Sequence, residues 1–261
     1  MRVGILGARG FVGAALGNRL KAAGVDVAAF NRPLFDLADR ATWGVLDCGL
    51  DVVVHAAGGP GATTWDIFRV NLLPCEALAV RLRAYGVRRL VYLSTGRVYG
   101  YHGHAAAPGM DCTPVGDYPV SKYLAERVLA DTFSGELAIA RLYYPYGRGQ
   151  QSPRLFPRLA AQIAAGQPVT CAEGGGPRLS VSHIDDLTEV LTRDFIQAEQ
   201  APALANLASG SVVTIREVAQ QLGAALGRPP EIVECGSPLE EFSGPYDGFP
   251  WRPFRVEDIL P

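Results

Sequence analysis

Short, nearly continuous apolar runs recur along the first half of the chain, at residues 3–6, 25–30, 51–55, 89–93 and 137–142. Between them the apolar positions return every three or four residues: over 11–20, weakly over 40–46, from about 65 to 85, and over 118–133. The first kind of pattern predicts strands buried on both faces, the second amphipathic helices. Pro74 lacks a backbone N–H and is expected to bend the 65–85 helix. Apolar strands separated by helices predict an α/β protein with a parallel sheet covered on both faces, whose ligands bind at the carboxyl ends of the strands. The second half is looser. It shows a helical pattern over 152–166, a short strand at 169–171, a glycine turn at 174–177, and a segment 181–184 that leads into a helix at Asp185-Asp186-Leu187. Thr214 followed three residues later by Glu217 is a capping box opening a helix that runs to Leu226. The Gly- and Pro-rich tail, 236–253, is expected to form loops that close over something.

The first strand runs directly into Gly7-Ala8-Arg9-Gly10-Phe11-Val12-Gly13. Glycine permits a sharp turn and a close approach of ligand to backbone. The helix behind it offers unpaired N–H groups and the positive end of its dipole to an anion. The spacing also occurs in merely structural turns; its strand–turn–helix context points to dinucleotide binding.

Composition removes several alternatives. With 261 residues, 48% apolar and 19% charged, the chain has the make-up of a globular protein with a substantial core. A formal charge of −2 offers no basic excess, so nucleic acid is not an expected partner. No apolar run reaches the length of a membrane span, and no signal peptide is expected before the first strand. The cysteines (Cys48, Cys75, Cys112, Cys171, Cys235) are odd in number and lack C-x-x-C spacing. That predicts reduced thiols in a cytoplasm and no metal site. The histidines His55, His102, His104 and His183 are not grouped as ligands, and His55 is expected to be packed at a strand end.

Tyr118-Pro119-Val120-Ser121-Lys122 sets a phenol and an ammonium four residues apart, with Pro119 placing Tyr118 at the helix entry. Free tyrosine, with a pKa near ~10, is a poor acid at neutral pH. A lysine charge at ~5 Å with an effective dielectric of ~20 contributes about 3 kcal/mol, roughly two pKa units, and brings the phenol into a useful range. Taken by itself the pair reads as two surface residues of an amphipathic helix.

The surrounding motifs resemble those of the extended short-chain dehydrogenase/reductases, the NAD-dependent epimerase/dehydratase family, over nearly the whole chain. Gly7 to Gly13 resembles its G-x-x-G-x-x-G, and His55-Ala56-Ala57-Gly58 its H-x-A-[AG] segment. Asn71 matches the asparagine that supports the active-site helix. Ser94-Thr95-Gly96-Arg97-Val98-Tyr99-Gly100 is similar to S-[ST]-x-x-V-[YF]-G, and Tyr118 with Lys122 to Y-x-x-x-K, continued by Leu124-Ala125-Glu126. Tyr143-Tyr144-Pro145-Tyr146-Gly147 resembles the loop joining cofactor and substrate, and Asp36-Leu37 the D-[LI] contact to adenine.

The resemblance implies a Rossmann-type doubly wound sheet (residues 1–143 with 183–208) and a small substrate lobe (144–182 and 209–261). It implies Tyr118 as proton donor, Lys122 as partner of the nicotinamide ribose, and Thr95 as the hydroxyl that orients the substrate oxygen. Without it, Thr95 reads as a strand-end hydroxyl bonded to its own backbone. The implied cofactor contacts are Gly7, Arg9, Gly10, Phe11, Val12, Gly13, Asn31, Arg32, Asp36, Leu37, Ala56, Ala57, Gly58, Asn71, Ser94, Lys122, Tyr143 and Pro145, with no metal.

The chain departs from the family pattern in two places. Tyr144 stands where many nucleotide-sugar enzymes of the family carry asparagine. Arg178 is shifted by about one position, and Ser180-Val181-Ser182 lacks the aromatic that follows it there. Members specific for NAD place an acid at the end of the second strand. Here that end reads Phe30-Asn31-Arg32, and Arg9 lies within reach, which predicts NADP(H), with NAD as the alternative. The expected activity is an NADP(H)-dependent ketoreductase acting on a keto-sugar nucleotide or a smaller carbonyl compound. The alternatives are an NAD-dependent sugar-nucleotide epimerase and a non-catalytic cofactor sensor. Gly96-Arg97, where dehydratases carry Asp-Glu, argues against dehydration. The expected partner is a small-molecule substrate, and a homodimer is left open.

Overall fold

The computed structural model describes residues 1–59, 61–100, 105–237, 242–244 and 246–260. In chain order, β1 (Arg2–Leu6) leads through the glycine turn to α1 (Phe11–Ala22), followed by β2 (Asp26–Phe30), a 3-10 turn at Arg40–Leu46, and β3 (Val52–His55). Then come α2 (Thr64–Asn71), α3 (Cys75–Ala84), β4 (Arg89–Thr95), α4 (Asp117–Thr132) and β5 (Glu136–Leu142). Where one bent helix is expected, Pro74 separates two helices and serves as N-cap of α3. The second half adds β6 (Pro145–Tyr146), α5 (Leu155–Ala164), β7 (Val169–Cys171), β8 (Leu179–Ser180), β9 (Ser182–His183) and α6 (Ile184–Val190). A wide π turn at Leu191–Gln197 is followed by β10 (Leu204–Leu207), β11 (Val212–Val213), α7 (Ile215–Ala225) and β12 (Ile232–Glu234).

The described chain separates into two compact units, residues 1–98 with 111–142 and 188–205, and residues 99–110 with 143–187 and 206–261. In the first, the sheet runs β10-β5-β4-β3-β1-β2, and the pairings from β5 to β2 are parallel. The chain goes from β1 outward to β2 and returns to β3 on the other flank of β1. The carboxyl ends of β1 and β3 therefore form the topological switch point, where such sheets bind ligands.

Every residue of β3 and β4 is buried, as their unbroken apolar runs require. Arg89, fully buried, opens β4. Its guanidinium donates to the carbonyls of Phe195, Ile196, Ala198 and Glu199 (2.9–3.1 Å) and to Glu136 Oε2 (2.7 Å). It thereby closes the carboxyl end of the π turn with a cation.

The second unit has its own core around Tyr146, Phe156, Leu159, Ile163 and Leu222. The capping box of α7 forms as expected, Thr214 Oγ1 accepting from Glu217 N and Glu217 Oε2 from Thr214 N. Part of the tail ties back to this unit: Arg252 donates from N (2.8 Å) and Nε (2.7 Å) to the buried Asp186 carboxylate. Residues 238–241 and 245 of that tail lie outside the described residues.

Candidate active site

The glycine turn is shaped as a cradle. Gly7, with φ 82, donates its N–H to Phe30 O, and a Cβ there would stand 2.7 Å from the Ala57 Cα. A Cβ on Gly13 would collide with the Gly7 carbonyl. The turn of β1 and the Ala56-Ala57 segment after β3 therefore lie against one another with no room for side chains. Helix α1 begins behind Gly10 with no side-chain cap and no acid in its first turn, so the N–H groups of Phe11, Val12 and Gly13 have no competing anion there. This donor set fits the pyrophosphate of a dinucleotide.

At the end of β2, Asn31 Oδ1 accepts from Arg9 N (2.8 Å), and Arg9 Nη1 donates to Arg32 O (3.2 Å). Arg9 and Arg32 are exposed on either side of Asn31, a pair of guanidiniums where a strand-end acid would otherwise sit. Asp36 turns one carboxylate oxygen to Ala38 N, while Leu37 is packed in the core.

Asn71, 1% exposed, connects three elements. It donates to Gly59 O (3.2 Å) and to Ser121 Oγ (3.1 Å), and accepts from Gly59 N (3.1 Å). Ser121 in turn donates to Tyr118 O. The loop carrying Gly58 is thus tied to the first turn of α4, where Tyr118 lies despite the proline that follows it. Thr95 ends β4 at 8% exposure, and its Oγ1 accepts from Arg97 N (3.2 Å). That bond uses a lone pair and leaves the hydroxyl hydrogen to donate.

Lys122, one turn after Tyr118, is 3% exposed and has no hydrogen bond or ion pair among the described residues. Its Nζ lies 4.0 Å from the centroid of the Tyr92 ring. Burial lowers its pKa from 10.5 to about 8, against the smaller opposing influence of Cys75 and Glu126. Burial likewise holds His55 neutral, down to about 3, and pushes the Cys75 thiol up to about 11. His55 is packed at right angles to Tyr92 at the strand end, as expected.

One turn further, Glu126 is equally buried but fully engaged. Arg141 donates to it from Nε (3.1 Å) and Nη2 (2.6 Å), and Ser94 Oγ donates to the same carboxylate. The Ser94 hydroxyl thus faces inward to Glu126, which leaves its backbone as what it can offer a cofactor. Sequence reasoning missed this node and Tyr92. A charge at Arg141, inside an otherwise apolar strand, was the signal that an opposite charge must face it in the core.

Tyr143 and Pro145 belong to the second unit. Tyr143 is buried against Phe242 (5.1 Å between rings), and Pro145 opens β6. Between them Tyr144 has φ 25, a left-handed conformation that asparagine tolerates far better than tyrosine. This is the position at which the resemblance noted above expects asparagine. No three His, Cys, Asp or Glu side chains gather as metal ligands among the described residues; His102 and His104 lie outside them. None of the described helices is long and apolar enough to cross a membrane.

The profile of the NAD dependent epimerase/dehydratase family matches residues 3–205. A dTDP-6-deoxy-L-talose 4-dehydrogenase (NAD(P)(+)) of Kitasatospora kifunensis is 30% identical, over 91% of this chain and 83% of that protein. A 2-alkyl-3-oxoalkanoate reductase of Stenotrophomonas maltophilia (strain K279a) is 29% identical, over 88% of this chain and 77% of that one. Among solved structures, MoeE5 in complex with UDP-glucose and NAD shares the fold with a TM-score of 0.84. It is 24% identical and covers 99% of this chain and 96% of its own.

Proposed function

The chain belongs to the NAD dependent epimerase/dehydratase family, and from that premise we propose that it is an NADP(H)-dependent ketoreductase acting on a keto-sugar nucleotide or a related carbonyl metabolite. The observation that carries the cofactor site is Lys122: a buried ammonium one turn from Tyr118, with no hydrogen bond or ion pair among the described residues, is available to a ligand.

Each part of the chain has a task in this reading. The N–H groups of Phe11, Val12 and Gly13, with Gly7 and Gly10 shaping the turn, receive the pyrophosphate. Asn31, Arg9 and Arg32 receive a 2′-phosphate, Asp36 and Leu37 the adenine. Ala56, Ala57 and Gly58 line the ribose side, Asn71 holds their loop against α4, and Lys122 binds the nicotinamide ribose. Tyr143 and Pro145 are proposed as contacts from their motif positions alone. When bound, the reduced nicotinamide supplies the hydride. Thr95 donates to the substrate carbonyl oxygen and fixes its orientation. Tyr118 gives its proton to that oxygen as the alcohol forms, and the positive charge of Lys122 makes the phenol a stronger acid.

Fold and triad are common to reductases and epimerases, so they do not separate the two. Support for reduction comes from the missing strand-end acid and from two relatives that are named as a dehydrogenase and a reductase. The free cysteines support a reducing, cytoplasmic setting. The test is stoichiometry across a panel of keto-sugar nucleotides and 3-oxoacids with NADPH and NADH. The proposal expects one NADPH oxidised per alcohol formed. Product formed with no net change in nicotinamide absorbance makes the protein an epimerase; cofactor binding without any turnover makes it a sensor.

A further inference from the structure

The Lys122 niche is closed by groups that cannot neutralise the ammonium. On α3, Cys75 is a thiol with its pKa raised to about 11. On β3, His55 is neutral. On α4, Glu126 is bound at both oxygens by Arg141, and Tyr118 is a phenol one turn away. On β4, Tyr92 presents its ring, 4.0 Å from Nζ, and is itself fully buried. The Tyr92 hydroxyl has no hydrogen-bond partner among the described residues. What this side chain contributes is therefore its face and not its oxygen. His55, standing at 90° with 5.2 Å between ring centroids, fixes the plane of that face.

We infer that the face of the Tyr92 ring is the seat that holds the Lys122 ammonium in the free protein, which makes Tyr92 a positioning residue; the inference rests on the cofactor role proposed for Lys122. The negative face of an aromatic ring attracts a cation electrostatically, and most strongly where water is excluded. Such a seat differs from a carboxylate in a way that matters for a binding site. It favours the charged form without a carboxylate's hold on the ammonium, so the N–H donors turned away from the ring stay available to ribose hydroxyls.

The experiment varies the ring's electrostatics at nearly constant shape. Phenylalanine, 4-fluorophenylalanine and 3,4,5-trifluorophenylalanine are placed at position 92, and the Lys122 side chain is titrated by NMR in the absence of cofactor. NADPH affinity is measured on the same proteins at about pH 9, where the charged fraction of Lys122 follows its midpoint. The inference expects Tyr92→Phe to titrate like the parent and the midpoint to fall stepwise with fluorination, by about one pH unit overall. NADPH affinity should weaken alongside, by about tenfold. A midpoint that ignores fluorination overturns the inference, whatever the affinity does. A midpoint that falls while NADPH affinity holds supports the ring seat and counts instead against the cofactor role of Lys122. Tyr92→Leu adds a check: loss of the Lys122 titration in its parent range with retained fold agrees with the seat, and an unchanged midpoint contradicts it.

Discussion

Helix α4 carries two buried charges one turn apart, and the protein treats them in opposite ways. Glu126 meets Arg141 through two hydrogen bonds and accepts a third from Ser94. Lys122 meets an aromatic face and makes no hydrogen bond or ion pair among the described residues. The Glu126 node joins α4, β4 and β5, the elements that present Tyr118 and Thr95, and its charges are balanced within the fold. The Lys122 niche is unbalanced, and its lowered pKa measures the imbalance: from 10.5 to about 8 corresponds to about 3 kcal/mol. A fold that seats one buried pair through three hydrogen bonds has no structural need for an unpaired ammonium beside it. The contrast separates what holds the site together from what the site holds.

The largest effect that sharpens this contrast is at Tyr118. Tyr118→Phe should lower turnover by about 10²–10⁴ while NADPH still binds, measured by steady-state kinetics and cofactor titration. Near-normal turnover would remove the assigned proton donor. Next is the balanced node. Glu126→Gln leaves Arg141 buried without its counter-charge and should destabilise the fold by about 3–5 kcal/mol in chemical denaturation. Replacing both partners, Glu126→Leu with Arg141→Met, should recover most of that loss, since a buried pair exchanged for apolar volume is often near neutral. The smallest effect concerns cofactor choice. Arg32→Ala should weaken NADPH binding about tenfold and leave NADH binding unchanged, because one charge-assisted hydrogen bond contributes about 1.5–3 kcal/mol. Equal affinity of the parent protein for both cofactors contradicts the NADP(H) preference.

Much of this organisation is legible in the chain itself. The glycine turn, the strand ends at His55 and Thr95, and the Tyr118–Lys122 spacing are local patterns, and local patterns survive without tertiary information. The Glu126–Arg141 pair is not local in that sense: its partners lie on different elements and meet only once β5 is in register with β4. The pairing of Tyr92 with Lys122 is hidden for the same reason, since a tyrosine in an apolar strand reads as core. Ser94 illustrates the converse. Its motif position suggests a cofactor contact, yet its hydroxyl is turned inward by a carboxylate that the motif does not mention. The short strand β10 has no alternation to betray it, and the π turn beyond α6 is shaped by Arg89, about a hundred residues earlier in the chain.

The central claim is that the Lys122 charge is kept, against the stability of the fold, for a ligand. Thermal unfolding of the parent and of Lys122→Met, each with and without NADPH and followed from pH 7 to pH 10, tests it most directly. The folded-state pKa of Lys122 lies below its unfolded value, so the unfolded chain holds the extra proton between about pH 8 and 10.5. The burden on the parent is therefore full below that window and is relieved as pH rises through it. The account expects Lys122→Met to unfold at a higher temperature than the parent at pH 7, with the gap narrowing toward pH 10, and expects NADPH to raise the midpoint of the parent far more than that of the variant. A variant less stable than the parent at pH 7 and equally stabilised by NADPH would contradict it.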